Sequence, residues 1–342
     1  MSFIRTIEQF CAHVRVNVDG TGLENLEPDL LLVETGRLRP LLGPALYNDL
    51  QALSDADVEE LLAKGNPDVR GELLRLVQLA AANLALVEYL PLLQVLISDG
   101  GVNLPQGGKT AFQWQINDLK VSFTRKGYNA LEQVLEYLDA HLDAPEFAAW
   151  ATSTAAVATH QYFLATAREF SEHYAINDSR LTYLALLPTL RKVERFDLAP
   201  VLGPAFYAEM KAQLRARTLT AENTELLDLY LRPALAHLVV AKALNGDVGL
   251  AFNGDALELN MYRSDDSNTK EADASFAQLL TMKAQQALGD GHVFLTQLRQ
   301  ILNSQASPTR FATYYASPTY KAPNGLRPVV ANAPDKPTYR FF

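Results

Sequence analysis

The stretch Arg39–Leu50, RPLLGPALYNDL, returns in altered form 160 residues later as APVLGPAFYAEM at Ala199–Met210. Without any gap, the match extends over residues 3–50 against 163–210, where 17 of 48 aligned pairs are identical. Chance matching at ordinary amino-acid usage gives roughly 3 identities over such a length. The sequence therefore predicts a tandem duplication of one domain.

The shared Leu-Gly-Pro-x-x-Tyr pattern predicts a corner between two helices. Its glycine is expected to end the first helix in the left-handed conformation, which residues with a Cβ rarely adopt. Its proline fixes φ at the first turn of the next helix, where a missing N–H is tolerated. The tyrosine then faces the core or a neighbouring element. The two corners comprise Gly43, Pro44, Tyr47, Gly203, Pro204 and Tyr207. We interpret them mainly as packing corners, with a recognition element as the alternative.

Leu- and Ala-rich stretches at 73–93 and 225–245 follow the corners and have helical periodicity. Each precedes a turn signal, Asp99-Gly100 or Asn253-Gly254, which predicts β-hairpins near 95–104 and 248–259. Residues 145–174 read as one long Ala-rich helix, and 276–288 and 292–302 as two separate helices. The predicted fold is mainly α, a tandem duplication of a helical domain carrying a small β-hairpin, plus an extended C-terminal arm. Its predicted domains are 1–144, 145–302 and 303–342.

Composition and charge narrow the function classes. The 342 residues are 48% apolar and carry a net charge of −9, which is typical of a globular protein. One cysteine, Cys11, excludes a disulfide framework. The beginning of the chain does not resemble a signal peptide, and the most apolar stretch, 76–97, contains Glu88, so we expect no membrane span. Residues 303–342 carry +4 and the remainder −13, and an acidic body argues against sequence-specific binding of nucleic acid.

The last 40 residues combine six prolines with seven aromatic residues, which predicts an extended segment that is not a plain disordered linker. We expect it to lie in a groove of a neighbouring subunit, with packing on its own body or disorder as alternatives. The candidate interaction residues are Arg310, Phe311, Tyr314, Tyr315, Tyr320, Arg327, Tyr339, Arg340, Phe341 and Phe342.

A search for catalytic motifs yields little. Gly107-Gly108-Lys109-Thr110 lacks the earlier glycine of a phosphate loop, because that position is Asn103. The six histidines contain no pair spaced for metal binding on a helix, and His13 and His173 are repeat equivalents. Acidic residues cluster over 255–273 without EF-hand spacing. We therefore predict no catalytic residue, no cofactor and no metal, with a weak cation site in the acidic loop as an alternative.

The blocks at Leu38–Tyr47 and Leu198–Tyr207 resemble an uncharacterised helical family associated with phages and prophages. That family is similar in style to the head–tail connector, or neck adaptor, proteins of tailed phages. The resemblance implies a ring between portal and tail, with arms and loops that dock on neighbours, and it implies no catalytic residues.

The leading hypothesis is therefore a virion structural protein, a head–tail connector that forms a homo-oligomeric ring. Its expected partners are portal or tail components. It would reside in the host cytoplasm during assembly and then in the virion or phage-like particle. One alternative is a cytosolic protein-interaction adaptor outside any virion. A less favoured one is a metal-dependent enzyme with an acidic site near Asp255–Asp273.

Overall fold

The structure, a computed structural model, describes residues 2–14, 22–63, 65, 68–94, 96–98, 101–103, 112–245, 250–253, 256–259 and 274–323. Helices of the first repeat are α1 (Ile7–His13), α2 (Glu27–Val33), α3 (Arg39–Gln51), α4 (Asp55–Leu62), α5 (Val69–Tyr89) and α6 (Gln113–Ala140). Two short helices, α7 (Ala148–Ala151) and α8 (Thr154–Thr159), lead to the second repeat. That repeat contains α9 (Ala167–Ser171), α10 (Arg180–Val193), α11 (Ala199–Leu202), α12 (Pro204–Ala216), α13 (Ala221–Leu226), α14 (Arg232–Leu244), α15 (Ala274–Gln305) and α16 (Ala312–Tyr315).

The chain is mainly helical and carries one hairpin in each repeat. Strands β1 (Leu96–Ser98) and β2 (Gly101–Asn103) pair antiparallel, as do β3 (Leu250–Asn253) and β4 (Ala256–Leu259). Both pairs lie where the Asp-Gly and Asn-Gly signals predict them. In the second hairpin Leu257 is buried, so that hairpin contributes to the core of its repeat.

Each repeat has its own apolar core, and both cores contain the same close crossing of two long helices. A Cβ added to Gly127 on α6 would lie 2.5 Å from Cγ of Leu84 on α5. A Cβ added to Gly291 on α15 would lie 2.7 Å from Cγ of Leu238 on α14. Glycine is required at both crossings because a larger side chain would force the helices apart. The duplication is therefore visible in the packing as well as in the sequence.

Two helix predictions are wrong. The segment 145–174 is not one helix, because Ser153 and Thr166 accept hydrogen bonds from the backbone N–H groups of Ala156 and Glu169 and so begin new helices. The pair 276–288 and 292–302 is one continuous helix, α15. Gly291 lies inside it and serves the crossing with α14 rather than a helix end.

The two repeats are joined by an acidic stripe on α6 that faces basic side chains of the second repeat. The ion pairs join Glu132 to Arg180 (2.6 Å), Glu136 to Arg168 (2.9 Å), and Asp139 to Arg217 (3.0 Å) and to the ring of His160 (2.9 Å). Glu132 is almost fully buried and also accepts the backbone N–H of Ala167 at 2.6 Å. The junction is therefore fixed by charge at its centre and not only by apolar contact.

Among the helices described, none has the length and apolar character that a membrane crossing requires.

Candidate interaction site

The two Gly-Pro corners have the same backbone conformation. Gly43 and Gly203 have φ of 73° and 76°, and their ψ values of 154° and 149° are extended rather than left-handed helical. A residue with a Cβ rarely adopts this region, so glycine is required at both positions. Pro204 is the first residue of α12, as the pattern predicts, and Pro44 directly follows Gly43 in the first corner.

Each corner is covered by a different segment of the chain. A Cβ on Gly43 would lie 3.3 Å from Oγ of Ser153, at the start of α8. A Cβ on Gly203 would lie 2.8 Å from Oγ1 of Thr319, in the C-terminal segment. Ser153 and Ser317 are 164 residues apart, as are α7 and α16, so the C-terminal segment takes on the second repeat the place that α7 and α8 take on the first.

The described part of the C-terminal arm packs on its own repeat. Helix α15 continues to Gln305, past the predicted start of the arm at 303. Phe311 and Tyr314 are buried and contact Phe206 on α12 edge to face, with ring centroids 5.8 and 6.0 Å apart. The Tyr314 hydroxyl donates to Oδ1 of Asn303 at 2.9 Å. Within one chain this portion of the arm therefore follows the alternative of packing on its own body, and a groove on a neighbouring subunit stays a prediction.

The other described interaction candidates lie around that aromatic contact. Tyr320 packs against Tyr314 and Tyr315, with centroid distances of 6.3 and 4.8 Å, and Tyr315 keeps 40% of its surface exposed. The Arg310 guanidinium lies 5.3 Å from the centroid of the Phe311 ring. The remaining candidates, Arg327, Tyr339, Arg340, Phe341 and Phe342, lie outside the described residues.

A buried glutamate lies beneath each corner, and sequence reasoning missed both. Glu34 and Glu194 each begin a π-helical turn, Glu34–Leu38 and Glu194–Leu198. Glu34 accepts the backbone N–H of Phe3 at 2.8 Å, and Glu194 accepts that of Phe163 at 2.7 Å. The signal available in the sequence was the identity of these residues at the 160-residue offset.

A corner tyrosine belongs to the cluster around each buried glutamate. The Tyr47 ring packs edge to face on Phe3 at 5.3 Å, and the Tyr207 ring packs on Phe163 at 5.8 Å. Burial raises the pKa of the Glu34 carboxyl, because the charged form loses hydration. The same arrangement of glutamate, backbone N–H and tyrosine therefore holds the beginning of each repeat against its corner.

Besides the glutamate, the phenylalanine and the tyrosine, each cluster has a fourth residue, and this residue differs between the repeats. The first has Gln51 Nε2, 2.9 Å from the Tyr47 hydroxyl. The second has Lys211, whose Nζ lies 2.5 Å from Oε2 of Glu194 and 4.0 Å from the centroid of the Phe163 ring. Burial raises the pKa of Glu194 and lowers the pKa of Lys211, while their mutual attraction opposes both shifts. This pair is the most deeply buried charged contact at the corners.

The histidines and acidic residues considered for catalysis or metal binding are distributed along the chain. Within the described ranges, no three His, Cys, Asp or Glu side chains are placed to hold a metal ion. His13 and His173 are both partly buried, and burial lowers the pKa of each ring. The acidic stretch predicted as a possible cation site, including Asp255 and 260–273, lies outside the described residues.

Large apolar side chains are exposed on both sides of the first hairpin along the chain. Trp114 is 62% and Phe112 is 69% exposed at the beginning of α6, where Leu119 is also exposed. Leu92 and Leu93, which follow α5, are exposed as well. Leu92 lies eight residues after Leu84 and Leu119 lies eight residues before Gly127, the two residues at which α5 and α6 meet. We name these five residues the hairpin-end patch.

Comparison with known proteins adds one family. The model of a family of unknown function, DUF6712, matches residues 38–159 and again residues 198–324. The two matches begin 160 residues apart, at Leu38 and Leu198, and the second extends through the aromatic segment that packs on α12. No curated protein and no solved structure matches the chain.

Proposed function

The chain belongs to the DUF6712 family, and we propose that it is a non-enzymatic assembly protein of a phage-like particle, a head–tail connector or neck subunit. In this proposal its helical domains form a homo-oligomeric ring. The ring then binds neighbouring particle proteins such as portal or tail components. Assembly takes place in the host cytoplasm and the protein ends in the particle.

The observation that carries the proposal is the hairpin-end patch. Exposed apolar patches mark surfaces that bind other proteins, and the beginning of α6 exposes two large aromatic rings within three residues, Phe112 and Trp114. Trp114 and Phe112 are aromatic, and tryptophan in particular dominates the binding energy of many interfaces. Neither side chain is needed for the core of its own repeat, since both are mostly exposed. The resemblance of the corner blocks to phage connector-like proteins suggests which partners the patch would bind.

The described part of the chain also offers few alternatives to a binding role. Its buried polar groups at the corners, Glu34 and Glu194, are held by backbone N–H groups of their own repeats. Hydrogen bonds of this kind hold each carboxylate in place within its own repeat. This favours an assembly role over the metal-dependent enzyme considered from the sequence.

The test is imaging of the purified full-length protein by negative-stain electron microscopy, alone and with portal or tail proteins encoded beside it. We expect rings or higher assemblies of the chain. A protein that stays strictly monomeric in the presence of those partners contradicts the proposal.

A double variant tests the patch itself. Phe112→Ser with Trp114→Ser is expected to keep the helical circular dichroism of the parent, because both side chains are exposed, and to bind the portal or tail proteins at least tenfold more weakly. The matched control is Leu229→Ser, which removes another exposed apolar side chain far along the chain in the second repeat. Equal binding by the double variant and the parent contradicts a role for the patch.

A further inference from the structure

The second repeat contains an open cleft of about 710 Å³ whose rim is basic. Arg191, Arg195 and Arg215 line it and are all exposed. Among the described residues, none of the three has a carboxylate within ion-pair distance. Several other arginines of this acidic protein do pair with carboxylates, as Arg180 does with Glu132 and Arg232 with Glu169. The cleft therefore concentrates unpaired positive charge.

The floor of the cleft does not neutralise the rim. Its one carboxylate, Glu194, already accepts from the Phe163 N–H and from Lys211, so both of its oxygens are engaged. Arg191 is held in place, because its Nε donates to the Tyr162 hydroxyl at 2.5 Å and its guanidinium lies 5.5 Å from that ring's centroid. The cleft is thus preorganised to bind carboxylates or other anions.

The basic character belongs to the second repeat alone. The residues 160 positions before Arg191, Arg195, Lys211 and Arg215 are uncharged or acidic. They are Leu31, Thr35, Gln51 and Asp55. The scaffold around them, the glutamate, phenylalanine and tyrosine of the corner, is the same in both repeats. The shared scaffold therefore does not require the three exposed arginines, and we look to binding for their explanation.

The first repeat presents the opposite charge. Helix α4 begins at Asp55 and carries four exposed acids, Asp55, Asp57, Glu59 and Glu60. Arg5 pairs with Asp55 at 2.5 Å, and the N–H of Asp57 donates to the Ser54 hydroxyl at the start of the helix. No described ion pair joins α4 to the cleft within one chain.

We propose that the basic cleft of one copy receives the acidic helix α4 of a second copy. This rests on the ring in the proposed function and names the contact that builds it. The surface on the first repeat differs from the surface on the second, so the contact is heterologous, and repetition closes a ring if the rotation per subunit allows it. A free phosphate has the same chemistry as an anionic ligand, but the chain itself supplies a complementary helix with several carboxylates.

The test uses two charge reversals in the full-length protein. The cleft variant is Arg195→Glu with Arg215→Glu, and the helix variant is Glu59→Lys with Glu60→Lys; all four side chains are exposed. The matched control for the cleft variant, Arg125→Glu with Lys126→Glu, makes the same change in net charge on exposed residues of α6. Sedimentation velocity at low and high salt measures self-association.

We expect each of the two variants to self-associate roughly 10- to 100-fold more weakly than the wild type and the control. High salt should weaken the wild type in the same direction, because it screens exposed charges. A 1:1 mixture of the cleft and helix variants should associate again. In that mixture the acidic helix of one variant meets the basic cleft of the other, and the reversed pair is also complementary.

Other results overturn the proposal in distinguishable ways. Rings that persist in both variants contradict this contact and leave the proposed function standing, whereas a wild type that is monomeric with its partners contradicts both. A mixture that fails to associate shows that the two surfaces do not meet. Inorganic phosphate that binds the wild type but not the cleft variant by calorimetry, with self-association unchanged in both variants, makes the cleft an oxyanion site instead.

Discussion

The two repeats share an apolar scaffold and differ in the polar groups built on it. Both corners combine a positive-φ glycine, a buried glutamate and a tyrosine stacked on a phenylalanine. The first repeat completes this with Gln51 and the second with Lys211. The comparison teaches that the two repeats keep the same glycine, glutamate, phenylalanine and tyrosine and differ in the polar partner beside the glutamate.

The last long helix of each repeat, α6 or α15, likewise has the same packing role and different polar contacts. Helix α6 carries the acids that bind the second repeat, with Glu132 at their centre. The position 164 residues later on α15 is Thr296, which is exposed and donates to the His292 carbonyl of its own helix. At the end of α15, Asn303 instead accepts from the arm, through the Tyr314 hydroxyl and the Lys321 N–H. One helix binds the next repeat, and the other binds the arm.

Removing the arm should give the largest effect. A chain ending at Ala306 loses Phe311 and Tyr314 from the core of the second repeat, and exposes Phe206 beneath them. We expect a loss of about 3–6 kcal/mol of unfolding free energy in that repeat. Urea denaturation followed by circular dichroism measures it. Truncation after Pro323 is the control and should be near neutral; equal stability of the two truncations would show that the arm does not support the repeat.

The junction gives the next largest effect. Glu132→Ala leaves the Arg180 guanidinium and the Ala167 N–H without their buried acceptor, which costs about 3–5 kcal/mol. Thr296→Ala, at the corresponding place on α15, should change stability by less than about 0.5 kcal/mol. Both are measured by denaturant unfolding. A Glu132 variant as stable as the Thr296 variant would mean that apolar contacts alone join the repeats.

The corner pair comes third. Lys211→Ala removes the cation beside buried Glu194 and should cost about 2–4 kcal/mol at neutral pH, whereas Gln51→Ala should cost about 1 kcal/mol. Burial already raises the pKa of Glu194, and without Lys211 it rises further. The Lys211 penalty should therefore shrink as pH falls, because the carboxyl protonates in the folded state before it does in the unfolded chain. A penalty independent of pH between 7.5 and 4.5 would contradict this account.

The helix crossing gives the smallest effect and the sharpest control. Gly291→Ala places a methyl group 2.7 Å from Leu238 Cγ and should cost about 1–3 kcal/mol, despite the better helix propensity of alanine. Gly289→Ala, two residues earlier on the same helix, meets nothing within 4 Å and should stabilise by up to about 1 kcal/mol. If the melting temperatures of both variants moved in the same direction, the close approach of α15 to α14 at Gly291 would be contradicted.

Much of the architecture was readable from local sequence. The corners and hairpins depend on residues within a few positions of each other, such as Gly203 with Pro204, and the 160-residue identities exposed the duplication. The break within 145–174 was missed because alanine favours helix, while the burial of Phe163 and the cap at Thr166 overrode that preference. The reverse happened at Gly291, where a helix breaker is retained because the neighbouring helix needs the space.

The candidate surfaces were less accessible to sequence reasoning. Charge totals indicated an acidic body, but not that Arg191, Arg195 and Arg215 converge on one cleft. The exposure of Trp114 could not be known either, since a tryptophan in a helix is ordinarily part of a core. Both features depend on residues whose spacing along the chain follows neither a helical nor a strand period.

The sequence by itself determined the mainly helical class, the two copies and the corner in each, because turns, caps and periodicity act between near neighbours. The tertiary structure decided which acid meets which base at the junction and that Phe311 and Tyr314 belong to the second core. It also decided where charge remains unpaired. Those outcomes depend on which surfaces folding brings together, and burial then makes the free energy of each pairing large enough to fix the arrangement.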